Sequence, residues 1–207
     1  MEVKLIRSTL APEQVCTQAM AGCQSTKAAF EISTDGVFEE RLMKMAVSSG
    51  HESVLEHAVF TFSVKGISRA CSHQLVRHRI ASYSQQSQRH VKPTKIEDWY
   101  VTPPSLTKFE GELLEHFAGT FDDFMHIVAL IYDNLIKAGI PEEDARFVLP
   151  NACKTNIVIT MNARELRHFF KLRRAKEAQW EIREMADRMF ELVQPLAPNI
   201  FRTEENK

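Results

Sequence analysis

The sequence predicts an α+β fold, and three observations carry that expectation. Helical and strand patterns mix along the chain without a repeating βαβα alternation. One segment, Ala58 to Lys65, alternates apolar and polar residues as a half-buried strand does. Elsewhere apolar residues recur at helical spacing, over the longest stretch between Leu113 and Leu135. With 207 residues, 44% hydrophobic and 26% charged, and no Pro/Gly/Ser-rich linker, the chain is expected to form a single domain over 1–207 with a sizeable core.

Each element has a local justification. Pro12 to Gln24 reads as helix, and Phe38, Leu42 and Met45 recur at helical spacing until Gly50 stops the segment. In the strand that follows, Phe60, Phe62 and Val64 share one face and Thr61 and Ser63 the other. Ser68 is placed to cap a short helix through Ala70, Leu75 and Val76, which delivers Gln74 and Arg77 toward its C-terminal end. The segment from Arg77 to Arg89 is then expected to be a loop behind a rigid element.

After Pro103 and Pro104, Leu113, Leu114, Phe117, Phe121, Phe124, Val128, Ile131 and Leu135 form an apolar stripe ending near Gly139, read as core or subunit packing. Pro141 opens another helix with Glu142, Glu143 and Asp144 in its first turn, where the helix dipole favours acids. Lys154 to Met161 reads as a strand. Asn162 is suited to cap a helix carrying Ala163, Arg164, Leu166, Phe169, Phe170 and Leu172, and a last helix covers roughly Ala178 to Val193.

Composition narrows the function. Lys and Arg total 26 against 27 Asp and Glu, a net charge of -1, so anion binding must come from local clusters rather than a global nucleic-acid footprint. The N-terminus has no apolar core of a signal peptide, and the apolar stretch from Ile127 to Tyr132 is bounded by His126 and Asp133, so no membrane partner is expected. Cys16, Cys23, Cys71 and Cys153 form no CxxC pair, and free thiols in a reducing, cytoplasmic compartment are the expectation. No GxG occurs, which excludes a Walker loop and the usual dinucleotide fingerprint. His51-Glu52 begins like a zinc-protease motif, but Leu55 stands where the second histidine belongs, and no metal is expected. Cys153 reads as a packed thiol; the competing idea, a Cys153-dependent transferase, lacks a neighbour to lower the thiol's pKa.

The densest chemistry lies between Arg77 and Arg89, RHRIASYSQQSQR. Arg77, His78 and Arg79 are followed by seven residues and then Ser87, with Arg89 two further on. Forked guanidinium groups, a hydroxyl and side-chain amides in one segment suit a phosphate together with a planar polar ring, as in a nucleotide.

With GHESVLEHAVFTF, ARFVLP, MNARELRHFFKLR and AQWEI in the same order, this segment resembles the flavin-dependent thymidylate synthases, whose signature is Arg-His-Arg, seven residues, then Ser. The resemblance runs from about His51 to Ile182, and the first 35 residues match loosely. It implies an α+β domain of the thymidylate synthase-complementing type with a central, mainly antiparallel sheet and packed helices. It also implies a homotetramer with active sites at subunit interfaces, FAD as cofactor, and methylenetetrahydrofolate and NADPH as co-substrates in converting dUMP to dTMP.

By the same resemblance, Gln74, Arg77, Gln85, Ser87, Arg89, Arg146 and Arg173 hold dUMP, and Arg173 is the catalytic group. Ser53, Arg77, His78, Arg79, Gln85, Asn162, Arg164 and His168 line FAD. Chemistry gives these assignments a rationale: methylation at C5 needs electron density there, and a cation at the N3/O2 edge stabilises an enolate-like pyrimidine. Ser87 reads as a ligand, since a hydroxyl nucleophile needs a general base that the sequence does not identify. Three positions depart from the family pattern: Gln85 stands where many members have Glu, His168 where many have Asn, and Glu177 where His is common. A competing reading from another class is an RNA-binding module using the Arg77 to Arg89 loop and the basic run from Arg164 to Lys176, with Tyr83, Phe169 and Phe170 for stacking.

Overall fold

The computed structural model describes residues 1–95, 98–108 and 112–202, without the side chains of 95, 107–108 and 112–119. Four strands, β1 (Glu2–Ser8), β2 (Val59–Ser68), β3 (Ala81–Gln85) and β4 (Lys154–Asn162), form an antiparallel sheet in the order β1-β2-β4-β3. The helices are α1 (Pro12–Gly22), α2 (Gly36–Ser49), α3 (Arg69–Leu75), α4 (Ser105–Lys108), α5 (Glu112–Lys137), α6 (Glu142–Ala145), α7 (Ala163–Arg173) and α8 (Trp180–Val193). The α+β expectation holds. Two strands go beyond it: β1, and β3, which lies inside the segment expected to be a loop. Both are short of buried residues, so neither carries a strong hydrophobic alternation.

The chain divides into two compact units. The first comprises Met1–Lys65, Leu75–Ser84 and Ile157–Lys207, and the second Gly66–Gln74 and Gln85–Asn156.

In the first unit, β1 pairs with β2 so that Val3 faces Val64 and Leu5 faces Phe62. Phe60, Phe62 and Val64 are buried on one face of β2, as the alternation requires, while Thr61 on the other face hydrogen bonds Thr160 at 3.0 Å. Helix ends follow their caps. The Asp35 carboxylate accepts from Phe38 N at 2.8 Å to start α2, Gly50 ends it at φ 75°, and Gln179 Oε1 accepts from Glu181 N and Ile182 N to start α8. Leu42, Met43 and Ala46 form the buried face of α2, which leaves Met45 outward. Phe60, Phe201, Phe170 and Phe190 link edge to face with ring centroids 5.3–5.8 Å apart, each contact adding about 0.5–1.5 kcal/mol beyond area burial. Buried Glu13 of α1 accepts from Asn199 N at 2.6 Å, Asn199 Nδ2 at 2.8 Å and Ile200 N at 3.2 Å.

The second unit opens at Gly66, whose φ of 76° inside β2 is a conformation that side chains disfavour. Its N–H donates to Asn156 Oδ1 at 3.1 Å. Ser68 Oγ accepts from Cys71 N at 3.0 Å, the expected cap of α3. Trp99, Met125, Val128 and Cys153 form the buried cluster, with Tyr100, Phe121 and Leu149 packed against it. The stripe on α5 needs correction. Met125, Val128 and Tyr132 point inward, whereas Phe124 and Ile131 of the expected stripe join Ile127 and Leu130 on an exposed apolar face. Leu113, Leu114 and Phe117 lie outside the residues whose side chains are described.

Candidate functional site

In the second unit, Arg69, His73, Gln88, Arg146, Phe147, Leu149, Pro150 and Asn151 line a cleft of about 280 Å³. Among these described residues none is acidic. Arg69 Nη2 donates to the neutral Gln88 Oε1 at 3.1 Å, and Arg146 Nε donates to the Glu143 carbonyl at 3.1 Å. Burial, and after it the neighbouring Arg146 charge, push the Arg69 guanidinium below the ordinary arginine range. Two positive groups brought together beside a neutral amide favour an anion between or upon them.

The turn after β3 supplies more donors. Ser87 Oγ accepts from Arg89 N at 3.1 Å, and Arg89 Nη2 pairs with Glu143 at 2.9 Å on the surface. Gln85 Nε2 donates to Ser72 Oγ at 2.9 Å and Thr155 Oγ1 at 3.3 Å. A carboxylate at this position accepts only, so the Gln85 departure reverses the polarity of these contacts.

In the first unit the chemistry converges on His78. Its Nδ1 lies 3.0 Å from Glu165 Oε1, and Arg173 Nε donates to its Nε2 at 3.1 Å. The ring meets Phe169 edge to face at 5.0 Å and His168 at 5.7 Å. Tyr83 of β3 donates its hydroxyl hydrogen to the carbonyls of His78 at 2.7 Å and Leu75 at 3.0 Å, fixing the backbone that carries the imidazole. Burial pushes the His78 pKa down from its ordinary value; the Arg173 charge acts the same way and the Glu165 hydrogen bond opposes it. The Arg173 Nε–H, which can only donate, meets a lone pair on Nε2, as in a neutral imidazole.

The other expected flavin residues are also in the first unit. Ser53 is exposed on the 3-10 turn Glu52–His57, and Arg77, Arg79 and His168 are exposed as well. Asn162 Oδ1 caps α7 through Glu165 N at 2.9 Å, and exposed Arg164 pairs with Glu56 at 2.6 Å. Of the expected dUMP residues, Arg77 and Arg173 belong to the first unit and Gln74, Gln85, Ser87, Arg89 and Arg146 to the second. The sequence reading missed Arg69 and Glu165. Arg69 sits directly after a helix cap, and Glu165 at the third position of α7 reads as an ordinary first-turn acid.

The basic run from Arg164 to Lys176 is largely paired within the fold: Arg164 with Glu56, Arg167 with Glu52, and Arg174 with Asp187 at 2.7 Å and over the Phe190 ring. Phe169 and Phe170 are buried and Tyr83 is tied inward, so these rings do not form a stacking platform for RNA. Cys153 is fully buried, and burial pushes its thiol up to about 12, the opposite of what a nucleophile needs. Among the described residues no helix is long and apolar enough to cross a membrane.

An antiparallel sheet with packed helices, an arginine cleft with no acid among its described lining residues and a half-buried His-Arg contact define an α+β protein equipped for an anionic ligand. The family model described as thymidylate synthase complementing protein matches residues 4–199. The chain belongs to this family. It is 47% identical over 210 residues to the flavin-dependent thymidylate synthase of Geobacter sulfurreducens, covering 98% of this chain and 86% of the relative. With the flavin-dependent thymidylate synthase of Pyrococcus horikoshii it shares 48% identity over 199 residues, 93% of this chain and 79% of that one. Among solved structures, a UMP/dUMP methylase from Streptomyces cacaoi bound with 5-Br dUMP superposes with a TM-score of 0.84 at 24% identity, covering 97% of this chain and 92% of that one. Thymidylate synthase X from Helicobacter pylori with FAD and dUMP gives 0.79 at 23% identity, with coverage of 98% and 97%. At these identities the structural likeness speaks to the fold.

Proposed function

We propose that this chain catalyses the reductive methylation of dUMP to dTMP, with FAD as cofactor, methylenetetrahydrofolate as carbon donor and NADPH as reductant. Its membership of the family supports the flavin-dependent thymidylate synthase and methyltransferase reading. The single observation in the fold that carries the nucleotide assignment is the cleft holding Arg69 and Arg146, with no acid among its described lining residues, suited to a nucleotide phosphate. Gln74, Arg77, Gln85, Ser87 and Arg89 complete the proposed dUMP set. Arg173 is the proposed cation at the pyrimidine N3/O2 edge, where it favours electron density at C5.

The residues present fit a flavin. Exposed Arg77, Arg79 and Arg164 offer cations to a diphosphate, while Ser53, Asn162 and His168 offer polar contacts for ribose and ring. His78 has both ring nitrogens engaged, so its part in a flavin contact is through the ring edge. Gln85 is proposed to touch both ligands. When bound, the flavin supplies hydride transfer, which no side chain provides.

The same reading makes the chain a single functional domain over 1–207 that assembles as a homotetramer with interface-built sites in the cytoplasm. The exposed α5 face of Phe124, Ile127, Leu130 and Ile131 supports burial against other subunits, and the free cysteines support a reducing compartment. The deciding experiment records the visible spectrum of protein reconstituted with FAD, adds NADPH anaerobically with and without dUMP, and then assays dTMP. Flavin bands that bleach and respond to dUMP, followed by dTMP formation, are expected; folded protein that binds no flavin rejects the reading.

A further inference from the structure

Arginine's Nε always carries a hydrogen and never accepts one. Arg173 Nε points at His78 Nε2 from 3.1 Å, so that nitrogen must present its lone pair. A neutral imidazole has one ring proton, which is thereby placed on Nδ1, 3.0 Å from Glu165 Oε1. The His78 and Glu165 side chains are 3% and 7% exposed, so the carboxylate rather than bulk water receives that proton's hydrogen bond.

Helix α7 supplies the frame. Glu165, Phe169 and Arg173 are spaced i, i+4 and i+8 and therefore share one face. The His78 ring lies across this stripe, edge to face with Phe169, with one nitrogen toward the acid in the first turn and the other toward the arginine in the last. The first turn also favours the buried carboxylate through the helix dipole.

We propose that Glu165 is a positioning residue: it fixes His78 in the Nδ1–H tautomer, and the lone pair this leaves on Nε2 sets the orientation of the Arg173 guanidinium. An acceptor held at Nε2 gives the Arg173 Nε–H a fixed direction, 3.1 Å from the ring nitrogen. If the ring proton moved to Nε2, two N–H groups would face each other and the contact would break. The inference deepens the proposed role of Arg173 and rests on it for its catalytic consequence, but its structural part stands alone.

Nitrogen NMR of FAD-reconstituted protein labelled with 15N-histidine, with His78 signals identified by His78→Asn, reads the tautomer directly. A pyrrole-type Nδ1 and a pyridine-type Nε2 are expected in the unaltered protein; the reverse pattern overturns the proposal, whether or not the protein makes dTMP. Glu165→Leu, which removes the acceptor, should bring in the Nε2–H form and lower kcat at least about tenfold with flavin content retained, the scale of losing a hydrogen bond to a charged group. Glu165→Gln, whose carbonyl still accepts from Nδ1–H, should keep the tautomer and restore kcat to within about threefold of the original. Equal losses in the two variants, or an unchanged kcat in folded Glu165→Leu, would overturn it. Should Glu165→Leu not fold, the tautomer of the unaltered protein decides. A protein with the expected tautomer and no dTMP formation rejects the thymidylate synthase reading while leaving the tautomer assignment intact.

Discussion

The arginines on and just after α7 in the first unit and the cleft arginines of the second meet opposite partners. In the first, Arg164, Arg167 and Arg174 meet carboxylates, and Arg173 meets a neutral imidazole whose other nitrogen is held by a buried acid. In the second, Arg69 meets an amide and feels Arg146 as a like charge, in a cleft whose described lining includes no acid. Compensated arginines hold a shape; an arginine pair facing only neutral groups holds a potential that an incoming anion can satisfy. The difference separates residues that orient groups from residues that receive a phosphate.

Substitutions can break this contrast. The largest effect is expected at the orienting centre: Arg173→Ala should lower dTMP formation by at least about a hundredfold while the flavin spectrum and folding persist, and near-normal turnover would remove its role. In the cleft, Arg146→Ala should weaken dUMP binding about ten- to a hundredfold, measured by calorimetry, with FAD affinity little changed. Equal weakening of both ligands would erase the division of labour between the units.

Acid sharpens the contrast by acting on the first unit. The folded-state pKa of His78 lies below its ordinary value, so the native state binds fewer protons than the unfolded chain in between. Its contribution to stability is complete above about pH 6.5 and is lost as pH falls through the lowered value. The thermal midpoint should therefore drop on the acid side more steeply in the unaltered protein than in His78→Gln; parallel profiles would show that His78 is not the titrating group. The smallest effect is expected for Ser87→Ala. Removing the hydroxyl that accepts from Arg89 N loosens the turn and should weaken dUMP about threefold, more than it weakens flavin, as titration of each ligand would show.

Much of the fold was legible because local chemistry and tertiary packing agree. Ser68, Asn162 and the Phe60, Phe62, Val64 alternation all act as their sequence positions suggest. β3 was not legible, since ASYSQ has one large ring and otherwise small or polar side chains, and its order comes from pairing in a sheet rather than from its own pattern. The two-sided apolar character of α5 was misread for a related reason: spacing identifies a helix but not which neighbours cover each face. At the candidate site, the RHR signature brought His78 into view and the later MNARELRHFFKLR segment brought Arg173. Their contact joins residues 95 positions apart, and Glu165 enters only when the fold sets it beside the imidazole.

Glu13 has a consequence for how the protein is made. Its carboxylate receives the N–H groups of Asn199 and Ile200, partners 186 and 187 residues later in the chain. During synthesis α1 leaves the ribosome long before those partners exist, and Phe60 likewise waits for Phe201. These contacts of the first unit form only after residue 201 has emerged, so slow translation prolongs the exposure of its apolar strand face and increases its need for chaperones.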